Sequence, residues 1–261
     1  MPEVNPQKPR CTADVIGSPI DVLDWDGALR QIHAWAIERE SRYVCICNAH
    51  SVVTARQDAN FGEIIRNADM ATADGAPVAW LMRRLGHAGQ QRINGPDLMW
   101  RYCEDAARRG ESIFLYGASQ ATLDALVERL QTTFPGLGIA GAISPPYRAL
   151  TPQEDAENVE RINASGAGTV WVSLGCPKQE QWMAAHHGRI HAVMIGVGAA
   201  FDYHAGTLRR APLWMQRNGL EWLYRLCSEP RRLWRRYLVT NTLFVMHAAR
   251  QLACHHLNHR R

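Results

Sequence analysis

The chain lacks the sequence features of several large classes of protein. Its 261 residues contain no run of 18 uncharged apolar residues, so we expect no membrane-spanning helix. The first ten residues, MPEVNPQKPR, have no apolar core and predict no secretory signal. The seven cysteines include no C-x-x-C pair. That spacing argues against a disulfide framework and a structural zinc site, and favours reduced thiols in the cytoplasm.

Several catalytic signatures are missing as well. The sequence has no H-E-x-x-H, no G-x-S-x-G and no P-loop signature, so zincin, α/β-hydrolase and P-loop chemistry are not expected. His186-His187 and His255-His256 are adjacent pairs, and neighbouring side chains on a helix diverge rather than share a metal. These histidines therefore predict no metal site, and none of these motifs indicates a cofactor.

Charge is distributed unevenly along the chain. The total is +4, but residues 209–261 hold eleven arginines and two acids, a net +9, which leaves the preceding 208 residues at −5. In that segment the arginines alternate with Trp, Tyr and Leu. Such a segment favours partners that carry phosphate, which include anionic lipid, nucleic acid and phosphorylated ligands. A pair of helices packed on the body with a solvated basic face would show the same composition.

The hydropathy pattern predicts an α/β fold. Short apolar runs alternate with amphipathic helical segments, which indicates a mostly parallel, Rossmann-like sheet with helices on both faces. We divide the chain into a flexible arm (1–18), an α/β catalytic domain (19–208) and a basic helical appendage (209–261). The predicted strands are YVCICNAH, MATADG, SIFLYGAS, LGIAGAIS, TVWVSLG and HAVMIGVGAAF.

Ligands of open parallel sheets bind beyond the carboxyl ends of the strands. In this sequence those positions are mostly polar or glycine, although they come from segments far apart in the chain. They include Asn48, Asp74, Gly117, Ser119, Gln179, Gly198 and Asp202. We expect them to line one cleft.

Each of these candidates also has an ordinary structural interpretation. Asp74-Gly75 is a common turn pair, but a carboxylate at a strand end can also act as a general base on a hydroxyl. FLYGAS can aim backbone N–H groups at a phosphate, or Gly117 can simply permit a tight turn. Asp202 can cap the segment that follows it.

Seven segments cover most of residues 20–240. They are CNAHSVV, ADMATADGAPVAW, RINGPDLM, FLYGAS, LGCPKQEQW, GVGAAFDYHAG and RRAPLWMQRNGLEWLYRLCSEPRRLWRRY. Together and in this order they resemble the WecG/TagA/CpsF family of bacterial glycosyltransferases. The stretches ICNAHSVVTA, DGAPVAW and NGPDLM are most similar to its GumM-like branch of exopolysaccharide glucosyltransferases.

The resemblance implies an inverting, metal-independent transfer of a hexose, with glucose favoured, from a UDP-sugar. The acceptor would be a sugar linked to undecaprenyl diphosphate, in exopolysaccharide or cell-envelope glycan synthesis. The enzyme would lie on the inner face of the cytoplasmic membrane, with an anionic membrane surface as a partner, a possible homo-oligomer and no nucleic acid. Other branches of the family transfer N-acetylmannosamine, and that alternative stays open.

The same resemblance suggests roles for individual residues. Asp74 would be the general base, with substrate held near it by Asn48 and Gln179. Gly117, Ser119, Gly198 and Asp202 would contact the nucleotide, and Arg209, Arg217 and Arg225 would meet the diphosphates and the bilayer. Many relatives carry Thr two residues before the strand-end Asn, whereas this chain has Ile46. A non-catalytic module that binds nucleotide or lipid phosphate is the other hypothesis, and it would not need a placed base.

Overall fold

The computed structural model describes residues 10–258. Within them, the strands are β1 Thr12–Val15, β2 Ser18–Asp21, β3 Arg42–Cys47, β4 Met70–Ala73, β5 Ser112–Gly117, β6 Gly138–Ile143, β7 Thr169–Ser173 and β8 Val193–Gly196. The helices of the body are α1 Trp25–Ile37, α2 Ala49–Gln57, α3 Ala59–Arg66, α4 Ala76–Arg84, α5 Gly95–Arg109, α6 Gln120–Thr133, α7 Pro152–Ala164, α8 Lys178–His186 and α9 Ala200–Ala205. Three helices follow them, α10 Leu213–Arg217, α11 Glu221–Ser228 and α12 Pro230–Asn258.

The centre of the molecule is a six-stranded sheet in the order β4-β3-β8-β7-β5-β6. Every adjacent pair in it is parallel. The predicted α/β class is therefore confirmed. Because all six strands run the same way, their carboxyl ends lie along one edge of the sheet, where the loops that carry the candidate site residues begin.

Helices cover both faces of this sheet. Alternate residues of β3 belong to different buried clusters: Cys45 packs with the side that carries α2 and α8, whereas Val44 and Ile46 pack with the side that carries α1 and α5. This is the two-residue period of a strand that is buried on both faces. The uninterrupted apolar run YVCIC is the signature of that position in the sequence.

The structure corrects the predicted arm at residues 1–18. Residues 1–9 lie outside the described part, but β1 and β2 form an antiparallel hairpin. Its turn is Ile16-Gly17, both at positive φ, while Ala13 and Val15 are buried against the body. The hairpin forms because its alternate side chains are apolar and reach the core. Pro2, Pro6 and Pro9 precede the hairpin, and prolines of this density are typical of an irregular segment.

The last predicted strand is also shorter than expected. The apolar run 191–201 is a strand only as far as Gly196, and residues 200–205 form α9. Gly198 adopts a φ of 54°, which ends the extended conformation. Phe201 lies in α9 and is still buried, because its side chain packs against one face of the sheet. Apolar character alone did not distinguish the two elements.

The segment after Pro212 is helical, as the sequence predicted. The 29-residue α12 packs on α2 and reaches the hairpin, where the Gln251 side chain accepts a hydrogen bond from the Ile16 N–H at 2.9 Å. None of the helices between residues 10 and 258 is long and apolar enough to cross a membrane. The domain boundary at residue 209 stays a prediction.

Gly117 ends β5 at a point where the backbone leaves no space for a side chain. Its φ is 119°, and a Cβ there would lie 2.3 Å from the Ser173 carbonyl oxygen. Gly117→Ala is expected to lower the free energy of unfolding by about 3 kcal/mol, because it combines backbone strain with a clash in the sheet. Urea unfolding measures this.

Gly110 supplies the control for that substitution. It also has positive φ, 69°, but an added Cβ would meet nothing within 4 Å. Gly110→Ala should therefore cost only about 1 kcal/mol of conformational strain. Equal losses for the two variants would show that crowding against Ser173 is unimportant.

Candidate active site

A large cleft lies along the carboxyl edge of the sheet. Its volume is about 1870 Å³, and its walls come from the ends of the strands and from α11 and α12. Seven predicted residues line it: Asn48, Asp74, Ser119, Gln179, Gly198, Asp202 and Arg225. Gly117, Arg209 and Arg217 do not. Gly117 contacts the backbone of Ser173, which separates it from the cleft. Arg209 and Arg217 are exposed on other parts of the surface.

Asp74 follows β4 and turns into the cleft. Its backbone N–H donates to the Cys47 carbonyl at 2.9 Å, which fixes the residue beside the end of β3. Burial raises the pKa of its carboxyl group, while the Arg92 guanidinium, 3.7 Å away, and hydrogen bonds from Gly75 and Asn48 oppose that rise. A carboxylate with a raised pKa is a stronger base than a solvated one.

Asn48 holds the neighbouring strand end. It is the N-cap of α2, and its Oδ1 accepts the N–H groups of His50 at 2.9 Å and Ser51 at 3.2 Å. Because the oxygen is occupied by the helix, the side-chain NH₂ is the group that reaches Asp74. The strand-end position and the N-cap preference of Asn explain why the sequence places it there.

Gln179 is buried, and its amide is engaged within the protein. Its Oε1 accepts the Gly198 N–H at 3.0 Å, and its Nε2 donates to Glu180 at 2.9 Å. The side chain therefore braces the β8–α9 loop against α8. The direct substrate contact that the resemblance implies for Gln179 stays a prediction.

Glu180 follows a strand end, and the sequence analysis assigned it no role beyond that of an ordinary residue in the first turn of a helix. Its side chain lines the cleft and is 1% exposed, and its Oε2 has no hydrogen-bond partner among the described residues. Burial raises the pKa of this carboxyl group above its ordinary value.

Glu180→Gln is expected to change how stability depends on pH. The native wild type holds the Glu180 proton more tightly than the unfolded chain, so its free energy of unfolding falls as pH rises from about 4.5 through the raised native pKa. Gln179 can still donate to the new amide oxygen. The variant should therefore gain stability relative to the wild type with rising pH, which urea unfolding at pH 5 and pH 8 measures. A difference that is the same at both pH values would contradict the raised pKa.

A chain of ion pairs links Asp74 to α11. Arg92 lies between Asp74 and Glu221, whose carboxylate it meets at 2.6 Å. Arg210 also contacts Glu221, at 3.4 Å, and pairs with Asp97 at the start of α5. Arg92 was not among the predicted site residues, although it lies in RINGPDLM, because its partners are distant in the chain. The chain of contacts ties the C-terminal segment to the candidate base.

Two arginines on the C-terminal helices face the cleft without an anionic partner. None of the ion pairs between described residues includes Arg225 or Arg236, and both line the cleft. The Arg225 Nε is buried and has no hydrogen-bond partner among those residues. Unpaired guanidinium groups in a cleft are suited to bind phosphate.

The other two predicted nucleotide contacts, Ser119 and Asp202, both line the cleft. Ser119 is the N-cap of α6 and accepts the Thr122 N–H at 3.2 Å, which places the positive end of that helix at the wall. Asp202 lies in the first turn of α9, where Thr207 Oγ1 donates to its carboxylate at 3.4 Å. Their contacts to a nucleotide stay predictions.

Two short motifs of known ligand-binding types lie outside the cleft. Asp24-Trp25-Asp26 is a D-x-D triplet, but Asp24 caps α1 by accepting the Gly27 N–H at 2.7 Å. The G-x-G-x-x-G of residues 136–141 lies before and within β6 rather than at a strand-to-helix turn. In the described part of the chain no three His, Cys, Asp or Glu side chains form a group that could hold a metal ion.

Comparison with known proteins is consistent with this geometry. The model of the Glycosyl transferase WecG/TagA/CpsF family matches residues 13–257. A curated relative from Bacillus spizizenii is 32% identical over 202 residues, which cover 77% of this chain and 76% of the relative. That relative is an N-acetylglucosaminyldiphosphoundecaprenol N-acetyl-beta-D-mannosaminyltransferase. The chain therefore belongs to the WecG/TagA/CpsF family of glycosyltransferases.

Proposed function

We propose that this glycosyltransferase moves N-acetylmannosamine from a UDP-sugar to N-acetylglucosamine linked to a polyprenyl diphosphate. The name of the Bacillus relative supports this transferred sugar and this acceptor, whereas the UDP carrier is what the family resemblance implies. Glucose, favoured in the sequence analysis through the likeness to the GumM-like branch, is the second candidate. Ile46 lines the cleft where many relatives carry Thr, so a hydroxyl contact to the substrate is lost here or is supplied by another residue.

The observation that carries the proposal is the environment of Asp74. A base must take a proton from the acceptor hydroxyl as that oxygen forms a bond to the anomeric carbon. The bond from that carbon to the UDP oxygen breaks at the same time, with inversion. Burial raises the pKa of Asp74, and Asn48 and Arg92 orient the carboxylate within the cleft. A module that only bound phosphate would not need this arrangement.

The departing UDP carries negative charge that grows in the transition state. Arg225 and Arg236 face the cleft unpaired, so they are positioned to stabilise that charge or the diphosphate of the acceptor. We propose that no metal ion is needed for this step.

We further propose that the protein lies on the anionic inner face of the cytoplasmic membrane. Its C-terminal segment exposes Leu213, Trp214 and Trp234 by more than half of their area, next to a series of arginines. Trp favours the membrane–water boundary, and each cation near an anionic surface contributes about 1 kcal/mol. A homo-oligomer and the absence of nucleic acid binding stay predictions.

The test is UDP release by the purified protein in the presence of EDTA. The donors are UDP-N-acetylmannosamine, UDP-glucose and UDP-glucuronate, each with short prenyl-diphosphate acceptors that carry either N-acetylglucosamine or glucose. We expect acceptor-dependent release from UDP-N-acetylmannosamine with the N-acetylglucosamine acceptor. Release from UDP-glucose would select the second donor, and UDP binding without any turnover would favour the non-catalytic module. Turnover that requires added Mg²⁺ would overturn metal independence.

A further inference from the structure

The β8–α9 loop, residues 197–199, is held by hydrogen bonds on both sides of Gly198. The Gln179 Oε1 accepts the Gly198 N–H at 3.0 Å, and Ser173 Oγ donates to the Gly198 carbonyl at 2.7 Å. Gly198 has a φ of 54°, and the two bonds keep it in this left-handed conformation. The loop lines the cleft and leads into the turn of α9 that carries Asp202. Its conformation therefore decides where the predicted nucleotide contacts lie.

The orientation of the Gln179 amide depends on a hydrogen bond at its other end. The oxygen and the nitrogen of a Gln side chain are nearly equal in size, so hydrogen-bond partners decide which of them faces a given group. The amide has little free space, since a Cβ on Gly196 would lie 2.9 Å from its Nε2. The partner of that Nε2 is the Glu180 Oε1, at 2.9 Å. The Glu180 carboxyl group therefore selects the orientation in which the Gln179 oxygen faces the loop.

The surroundings of Glu180 favour a carboxyl group without charge. Its side chain is 1% exposed, and none of the ion pairs between described residues includes it. Three thiols lie near it, those of Cys45 and Cys47 on β3 and of Cys176 before α8. Burial raises the pKa of the carboxyl group. In the neutral form it still accepts from Gln179, and it leaves no unpaired charge beside the cleft.

A second series of contacts leads from Glu180 towards the candidate base. The Cys176 thiol lies beside the Glu180 carboxyl group and 3.8 Å from the Ser51 Oγ. Ser51 and Asn48 form the capping box of α2, and the Asn48 side chain reaches Asp74. Glu180 is therefore situated between the β8–α9 loop and the strand end that carries Asp74.

We infer that Glu180 is a positioning residue for the donor: its carboxyl group holds the Gln179 amide, which holds the β8–α9 loop in the conformation that binds the nucleotide. This rests on the proposed function, which places UDP in the cleft. Glu180 does not itself contact the nucleotide, because its Oε2 is buried. It acts only through Gln179, its neighbour in the chain.

Three substitutions separate this role from a general loss of packing. Glu180→Gln keeps an acceptor oxygen without a charge, whereas Glu180→Met keeps the volume and removes the acceptor. Glu111→Met is the control, because the largely buried Glu111 accepts from the Tyr102 hydroxyl at 2.9 Å but lies outside the cleft. Calorimetry of the full chain should show UDP affinity about tenfold lower in Glu180→Met, since the Gln179 amide is left with an unpaired N–H. Glu180→Gln and Glu111→Met should bind UDP as the wild type does.

Three further measurements show whether Glu180 acts through Gln179. In a double-mutant cycle, Glu180→Met should cause no additional loss of UDP affinity in the Gln179→Met background. Hydrogen exchange of the Gly198 amide should be about tenfold faster in Glu180→Met and unchanged in Glu180→Gln. In transfer assays, Glu180→Met should raise the donor KM and leave kcat and the acceptor KM unchanged.

Each contrary result would overturn a step of the inference. Additive losses in the double variant would show that Glu180 does not act through Gln179. An equal loss of UDP affinity in Glu180→Gln would show that the charged carboxylate is required, and an equal loss in Glu111→Met would show general destabilisation. If Glu180→Met does not fold, Ser173→Ala tests the loop by removing the other hydrogen bond to Gly198. That variant should lower UDP affinity about threefold, and unchanged affinity would overturn the role of the loop.

The binding measurements also separate this inference from the proposed function, because they require no turnover. UDP affinity that follows the expected order of variants, without any sugar transfer, would leave the inference standing while the proposed function fails. Sugar transfer with the same donor KM in the wild type and Glu180→Met would overturn the inference and leave the proposed function standing.

Discussion

Asp74→Asn is expected to lower turnover about 1000-fold while UDP binding is retained. The amide keeps the shape of the side chain but cannot accept the proton of the acceptor hydroxyl. Because burial raises the pKa of this carboxyl group, its replacement by a neutral amide should not reduce the melting temperature. Single-turnover transfer measures the chemical step, and calorimetry with UDP measures binding.

Asp58→Asn is the control for this change. Asp58 caps α3 by accepting the N–H of Asn60 at 2.9 Å, outside the cleft, and Asn is an equally good cap. The Asp58→Asn variant should keep full activity.

The pH profile of the wild type gives a second measurement of the role of Asp74. Its activity should fall at acid pH with an apparent pKa above 3.8, because the carboxyl group must be ionised to accept a proton. Near-normal turnover in the Asp74→Asn variant would show that Asp74 is not the general base.

Arg225→Ala is expected to lower turnover about 100-fold. Its guanidinium faces the cleft, no ion pair in the described part of the chain neutralises it, and its Nε is buried without a partner. A cation that is partly shielded from water and directed at the departing diphosphate lowers the free energy of the transition state substantially. The measurement is kcat with saturating donor and a short, water-soluble acceptor.

Arg217→Ala separates charge in the cleft from charge on the surface. Both arginines came from the same basic segment in the sequence analysis, but Arg217 is exposed and does not line the cleft. With the soluble acceptor, it should retain wild-type kcat. If the two variants lose activity equally, the effect is one of overall charge rather than of position.

The fold was largely predictable because its signals are local. Six apolar runs bounded by glycine and polar residues became the six parallel strands, although the last of them extends only to Gly196. The hairpin at residues 12–21 was missed because each of its strands has only four residues, too few for the alternation of apolar side chains to be recognised. The start of α9 was missed because Ala200 and Phe201 are as apolar as the strand before them.

The site was predictable only in part. The strand-end rule found Asn48, Asp74, Gln179 and Asp202, since parallel strands bring their ends together whatever their order. It did not rank the arginines of the C-terminal segment, and of Arg209, Arg217 and Arg225 only the last reaches the cleft. Which arginine side chain points into the cleft depends on how the C-terminal helices are rotated and packed. The composition of the segment does not determine that.

The sequence by itself determined the parallel α/β body, the polar edge with Asp74 and the family, because strand patterns and short motifs are properties of contiguous residues. Only the tertiary structure decided the long-range contacts. Arg92 contacts Glu221 across 129 positions of chain, the Glu180 side chain is buried, and one face of α12 lines the cleft. Such contacts depend on how helices pack against the sheet, and packing is a property of the whole core rather than of any one segment.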